Sequence, residues 1–355
     1  MAACRCFQIA AKEKGRAMRM SPVLWRRRTR LTVVFFISLC LAFSLYSCGR
    51  RTINTQKKTL GQSTEKEGKS KPRLIVLPLQ PQEEQAYNGT GLAIHFLLGN
   101  IVALHTGLKE FWFGWRVKKI FLEKERLRAY CHGEGTQLDF SKLGKEQGIR
   151  YWLRGRVQQR ESAMKVTLIL TDTKKNHEER STTLTLDLSN QLIGFRKGFL
   201  AWLKTCGLPL PHAQAIKTLW PEKTNPKGLN LLGQALETYY LHSSWDEKDP
   251  LDLYWFDSAV SAAPASYLAH DLKGWALYKN KDYKAAEESF RSALTLNSNG
   301  LGAMSGLMWC AIYANNEEEA YTWAAAKADL RGDSRMAAKA RVKKRMNKAA
   351  PKIKD

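Results

Sequence analysis

The sequence predicts an α/β or α+β amino-terminal domain followed by an all-α helical solenoid. Three observations predict it. Between Tyr151 and Leu188, apolar residues alternate with other residues at a period of two, as in half-buried strands. From Tyr267 to Asn299 the apolar spacing is that of two short antiparallel helices. That spacing then recurs on both sides of the stretch, so neighbouring units can bury the face that one helix pair leaves open.

Taken in order, the chain begins with charge. Its 355 residues carry a formal net charge of +24, but the excess sits at the ends. Residues 1–72 hold 16 Lys/Arg against 3 acids, and residues 331–355 hold 10 against 2, which leaves the body nearly neutral. Such a body lacks the basic face that a nucleic acid requires, so no nucleic-acid partner is expected. Met18 or Met20 is the expected start of the translated signal. Residues 1–48 read as an export signal: Arg26-Arg27-Arg28-Thr29-Arg30, then an apolar core from Leu31 to Leu45 that is short for a membrane span. Leu45-Tyr46-Ser47-Cys48 resembles a bacterial lipoprotein box, with Tyr46 an unusual occupant of its place. The resemblance implies lipid attachment at Cys48 and a body facing the periplasm or the outside. Gly49 stands where some bacteria use Asp to retain a lipoprotein at the inner membrane. The alternative is an uncleaved inner-membrane signal anchor using the 31–48 segment. Residues 49–72 are polar and cannot bury a core, so they read as a disordered tether.

Residues 73–211 read as the α/β domain. Leu74 to Leu79 is a buried strand closed by Pro78. Gly91 to Thr106 is a helix with Leu92, His95, Phe96, Gly99 and Val102 near one face. Phe111 to Phe121 includes a second strand, and Leu122 to Tyr130 a charged surface helix. Asp139 caps a short helix that ends at Gly148. A strand meander follows, turning at 158–163 and 173–177, and then an amphipathic helix from Asn190 to Thr205. Tyr151, Gly155, Val157 and Asp172, with the preceding strand ending in Leu-Pro, resemble the amino-terminal domain of the translocation protein TolB and related curli-secretion and flagellar lipoproteins. The resemblance spans roughly residues 73–207 and implies an envelope domain; no propeller follows it, unlike TolB. Residues 212–228 read as a linker.

Residues 229–330 form three helical units. In the central one, Gly274 and Ala286 are small where helices approach, and Tyr283 and Phe290 are large where a hole must be filled. Upstream, Gly233-Gln-Ala-Leu matches Gly274-Trp-Ala-Leu, and Phe256, Ala259 and Pro264 match Phe290, Ala293 and Ser298. Downstream, Gly306 to Tyr313 and Glu317 to Leu330 supply a third pair. The central unit resembles a tetratricopeptide repeat, with Ser298 in place of the usual Pro. That resemblance implies a groove lined by the first helix of each unit, here Leu236, Tyr239, Trp275, Tyr278 and Trp309. Residues 331–355 form a basic tail that caps the last unit.

Catalytic signals are sparse: the sequence has no Gly-rich phosphate loop, HExxH or paired CxxC, so neither a metal nor a cofactor is expected. Cys131 beside His132 reads as a polar turn, and His95 as a hydrogen-bonded core residue. Asp172 and Asp187 suit turn or edge roles. A Cys131–Cys206 disulfide stays open. Phe111-Trp112-Phe113-Gly114-Trp115 reads as core filling. The expected function is non-enzymatic: an envelope lipoprotein that scaffolds partner proteins through the groove and meets the membrane through Cys48. The alternatives are a cell-wall or small-ligand enzyme within 73–207, or a membrane-anchored sensor. Converging acids in a pocket of that domain would favour the enzyme. Cys48→Ser should yield an unlipidated precursor in labelling with a fatty-acid analogue; label retained by the variant would sink the lipoprotein reading.

Overall fold

The computed structural model describes residues 73–343 apart from 84, 106–107, 109, 136–137, 160–162, 175–177, 189–191, 209–221, 244–248, 334–335, 338 and 342. Expectations about residues 1–72, Cys48 among them, and about 344–355 lie outside the described residues. The described residues fall in one compact unit.

Its amino-terminal part is a mixed sheet. The strands are β1 (Arg73–Val76), β2 (Gln80–Pro81), β3 (Glu110–Trp112), β4 (Tyr151–Gln159), β5 (Ala163–Asp172) and β6 (Glu178–Asp187). Their order is β3-β1-β4-β5-β6, with β2 pairing β4 beyond the end of β1. β1 runs parallel to both β3 and β4, whereas β4, β5 and β6 form an antiparallel meander. The sequence explains the difference. Leu74, Ile75, Val76 and Leu77 are a continuous apolar run, all fully buried, as a strand covered on both faces requires. On β5, Met164, Val166, Leu168 and Leu170 are buried while Lys165 is exposed. The register is fixed at the open end of the meander by Arg150, which donates to both carboxylate oxygens of Asp172 at 2.9 and 2.8 Å. Asp172 therefore takes the strand-end role expected of it.

The helices of this part are α1 (Thr90–His105), a 3-10 turn (Gly114–Val117), α2 (Lys118–Phe121), α3 (Lys124–His132), α4 (Phe140–Gln147) and α5 (Ile193–Thr205). Asp139 caps α4 by accepting from the Lys142 amide, and Gly148 ends it in the left-handed region at φ 64°. α3 is less of a surface helix than its charges suggest, since Leu127, Tyr130 and Cys131 are buried. α5 packs on β6 through a face that includes Phe195, Phe199 and Leu203.

α1 departs most from expectation. Its apolar residues are not confined to one face: every residue from Thr90 to Leu104 is buried. The reason is that α1 has neighbours all round. It lies against β1 to β4 and also against α6 (Pro226–Ser243), the first helix of the carboxy-terminal part. α6 begins inside the stretch read as linker. Where the two parts meet, a Cβ on Gly233 would fall on the Gly89 carbonyl, so only glycine allows the approach.

The carboxy-terminal part continues with α7 (Tyr254–Ala262), α8 (Tyr267–Lys279), α9 (Tyr283–Leu296), α10 (Leu301–Tyr313) and α11 (Glu317–Leu330), packed consecutively as hairpins. Ser266, Asp282 and Asn316 cap α8, α9 and α11 through their side chains. The hairpin turns repeat in detail. Lys281 and Asn315 both take positive φ, at 65° and 54°. The Asp282 and Asn316 amides donate to Leu277 and Ala311, at 3.0 and 2.8 Å. Each pair is 34 residues apart. Phe290 is fully buried between Gly274 and Gly306, either of which would clash with its ring if it carried a Cβ.

Two acids are buried beside α8. Glu222 accepts from the Ser266 hydroxyl and from the Leu268 amide. Burial pushes its carboxyl up to about 8, against these donors and with Asp271 adding to the rise. Burial pushes Asp271 up to about 7.

Two predictions follow from this packing. Gly233→Ala should cost about 1–3 kcal/mol by overpacking and lower the melting temperature; an unchanged melt would show that α1 and α6 can separate freely. Glu222, with a folded pKa above its ordinary 4.5, contributes stability that is full below about pH 4.5 and is lost as pH rises toward 8. Glu222→Gln should therefore lose less stability than the parent between pH 5 and pH 8 in paired thermal melts. Equal losses in the two proteins would clear Glu222 of the effect.

Candidate interaction surface

The five residues expected to line a groove have different fates. Leu236 is fully buried, so its side chain belongs to the core. Tyr239 is half-buried and meets Tyr240 edge-on, with ring centroids 6.3 Å apart. Trp275 and Tyr278 are half-buried and in contact at 5.7 Å. Trp309 is 43% exposed.

Register explains what Trp275, Tyr278 and Trp309 share. The 34-residue recurrence of the turns sets Trp275 level with Trp309, Tyr278 with Ile312 and Lys279 with Tyr313. Ile312 and Tyr313 are 43% and 55% exposed. The ends of α8 and α10 thus present one surface. It is knit together by rings. Tyr278 meets Tyr283 at 5.5 Å and Tyr313 at 5.7 Å, and Tyr283 stacks on Tyr313 at 4.5 Å with planes 15° apart. Trp275 rests edge-on against the buried Phe290 at 5.3 Å, which ties the surface to the core. Ile312, Tyr313 and Tyr283 were missing from the residues expected on sequence. The signal that could have found them is aromatic residues flanking two successive hairpin turns.

On α8, Leu268 and Asp271 are buried. α1 touches both α6 and α10, so the chain's own helix covers part of the side on which these first helices lie.

The residues weighed for chemistry are held by structural duties. His95 is fully buried; its Nε2 takes the Gly114 amide at 3.3 Å and lies 3.1 Å from the Tyr240 hydroxyl. An Nε2 that accepts from an amide leaves the proton on Nδ1, and burial lowers the pKa to about 4, so the ring stays neutral. Cys131 is buried, and burial pushes its thiol far up. His132 turns away from it, stacking on Tyr87 with centroids 3.9 Å apart and pairing with Glu237 on α6 at 3.0 Å. That pair is a second seam between the two parts. Cys131 and Cys206 are free thiols, so the disulfide is not formed.

Phe113 is half-buried and fills the space above Gly99 on α1, a core role for that member of the aromatic run. A shallow hollow at the start of α1 is lined by Leu79, Gln85, Tyr87, Asn88, Thr90 and Gln159 among other described residues. Gln159 in its wall accepts from Asn88 at 2.8 Å and from Thr90 at 3.3 Å. Among the described residues, no helix is long and apolar enough to cross a membrane, and no three His, Cys, Asp or Glu side chains stand together as a metal site. No protein-family model matches the chain, and no curated protein matches it.

Proposed function

We propose that this protein is a non-enzymatic scaffold of the bacterial cell envelope. It is tethered through Cys48 and holds a partner protein on the aromatic end of a tetratricopeptide-like array. The observation that carries the reading is the open ring surface formed by Trp275, Tyr278, Trp309, Ile312 and Tyr313 at matching places in successive hairpins. Tyrosine and tryptophan bury large areas at small cost in side-chain entropy, which is why they anchor interfaces. The 34-residue recurrence of the turns is the period of such repeats.

The surface is tested by separating binding from folding. Ala286 is fully buried between helices, so Ala286→Leu should overpack the array, cost about 1–3 kcal/mol and weaken capture through the fold. Trp309→Ala and Tyr278→Ala should weaken capture by roughly tenfold or more, the scale of interface hot spots, with melts moving less than for Ala286→Leu. Pull-downs from envelope extract, paired with thermal melts, separate the effects. Unchanged capture by both aromatic variants would remove this surface from the binding function.

A further inference from the structure

The aromatic surface spans two hairpin turns of opposite charge. Around the central turn, residues 279–284 carry Lys279, Lys281 and Lys284 against Asp282. Lys281 and Lys284 are exposed, and among the described residues none of the three lysines makes an ion pair. Asp282 has a task of its own, capping α9 by accepting from the Ala285 amide at 3.1 Å. Around the next turn, residues 313–319 carry Glu317, Glu318 and Glu319 and no base. Glu317 and Glu318 are exposed, while Glu319 holds Arg291 of α9 at 2.7 Å. The 34-residue register makes the contrast positional: Lys281 stands level with Asn315, and Lys284 with Glu318. The rings lie along the seam. Tyr283 follows the central turn, Tyr313 precedes the last one, and the two stack at 4.5 Å.

A surface that is basic on one half, acidic on the other and aromatic between them is complementary to itself. We propose that a second copy of this chain docks on the aromatic end as a two-fold, antiparallel dimer. The axis lies in the plane of contact and passes between the central and last hairpins. Each copy's Lys281 and Lys284 then face the other's Glu317 and Glu318, so the attraction is made twice. Trp309, Ile312 and Tyr313, all exposed, come to lie across from Trp275 and Tyr278 of the other copy. Charge makes the choice of occupant. A partner segment of one sign would be drawn to one turn and repelled by the other. An axis running across both hairpins instead of between them would set lysine against lysine and glutamate against glutamate. The assignment of a second copy rests on the aromatic end being the binding surface, as proposed above.

The test is charge exchange in the full chain, purified in mild detergent. Two differently tagged copies are mixed, and co-capture is read beside mass from light scattering. The parent should be a dimer that weakens as salt is added. Lys281→Glu with Lys284→Glu should leave a monomer, and so should Glu317→Lys with Glu318→Lys. Mixed together, these two variants should pair with each other at near-parental strength, because both contacts are restored; pairing also shows that each has folded. Trp309→Ala with Ile312→Ala should weaken the dimer by roughly tenfold or more. As a check that needs no variant, diluting the parent through its dissociation should speed amide exchange at residues 309–313. A parent that stays monomeric into the high micromolar range would overturn the proposal. So would a dimer indifferent to the charge variants, a mixture that stays as monomeric as its components, or exchange at 309–313 that ignores dilution. Capture from envelope extract that is lost in Trp309→Ala, with no dimer in the parent, would keep the binding surface and remove only the second copy as its occupant.

Discussion

The fold depends on α1 being surrounded. Fifteen consecutive buried residues, Thr90 to Leu104, remove a helix from water on the sheet side and on the side of α6 together. An apolar side chain so buried is worth about 1.5–3 kcal/mol relative to leaving it exposed, and α1 carries Leu92, Ile94, Leu97, Leu98, Ile101 and Val102 at 1% exposure or less. Neither part of the protein could expose that helix without a large loss. The polar groups at the seam follow suit. His95 Nε2 and the Tyr240 hydroxyl lie within hydrogen-bond reach, and His132 and Glu237 pair across from α3 to α6. The sheet part and the helical part are joined in one compact unit.

Local features of this fold were legible in the sequence. Period-two alternation marked β4 to β6, Asp139 and Gly148 bounded α4, and the small-large pattern of Gly274, Ala286 and Phe290 set out the central hairpin. What escaped was long-range. A helix apolar on every side gives no periodic signal, so α1 looked one-faced when it is buried all round. Nothing in the sequence near Gly233 announces that its neighbour is Gly89, more than a hundred residues earlier. Leu236 stands level with Leu277 in the matched stretches, and both are buried, whereas Trp275, two places before Leu277, is half-buried. Half of the aromatic surface was visible as Trp275, Tyr278 and Trp309; Tyr283, Ile312 and Tyr313 joined it only when the turns brought consecutive hairpins into register.

Function in this protein is argued from surface rather than from reactive groups. The side chains that invite a mechanism are neutralised by burial or held by neighbours: His95 is kept neutral, Cys131 is kept protonated, and Asp172 is spent on Arg150. The exposed rings have no such duties on their outer faces. The proposed scaffold acts through that one surface.

The placement of β1 bears on how the protein would withstand tension. The strand enters the sheet at Arg73 and lies between β3 and β4, parallel to both. A tug directed along β1 would have to slide it past two neighbours, breaking its short ladders on both sides together instead of peeling them one bond at a time. Resistance to such pulling is governed by the unfolding rate and not by equilibrium stability. A pull on the chain ahead of Arg73 would thus load, in shear, a short strand held on both sides.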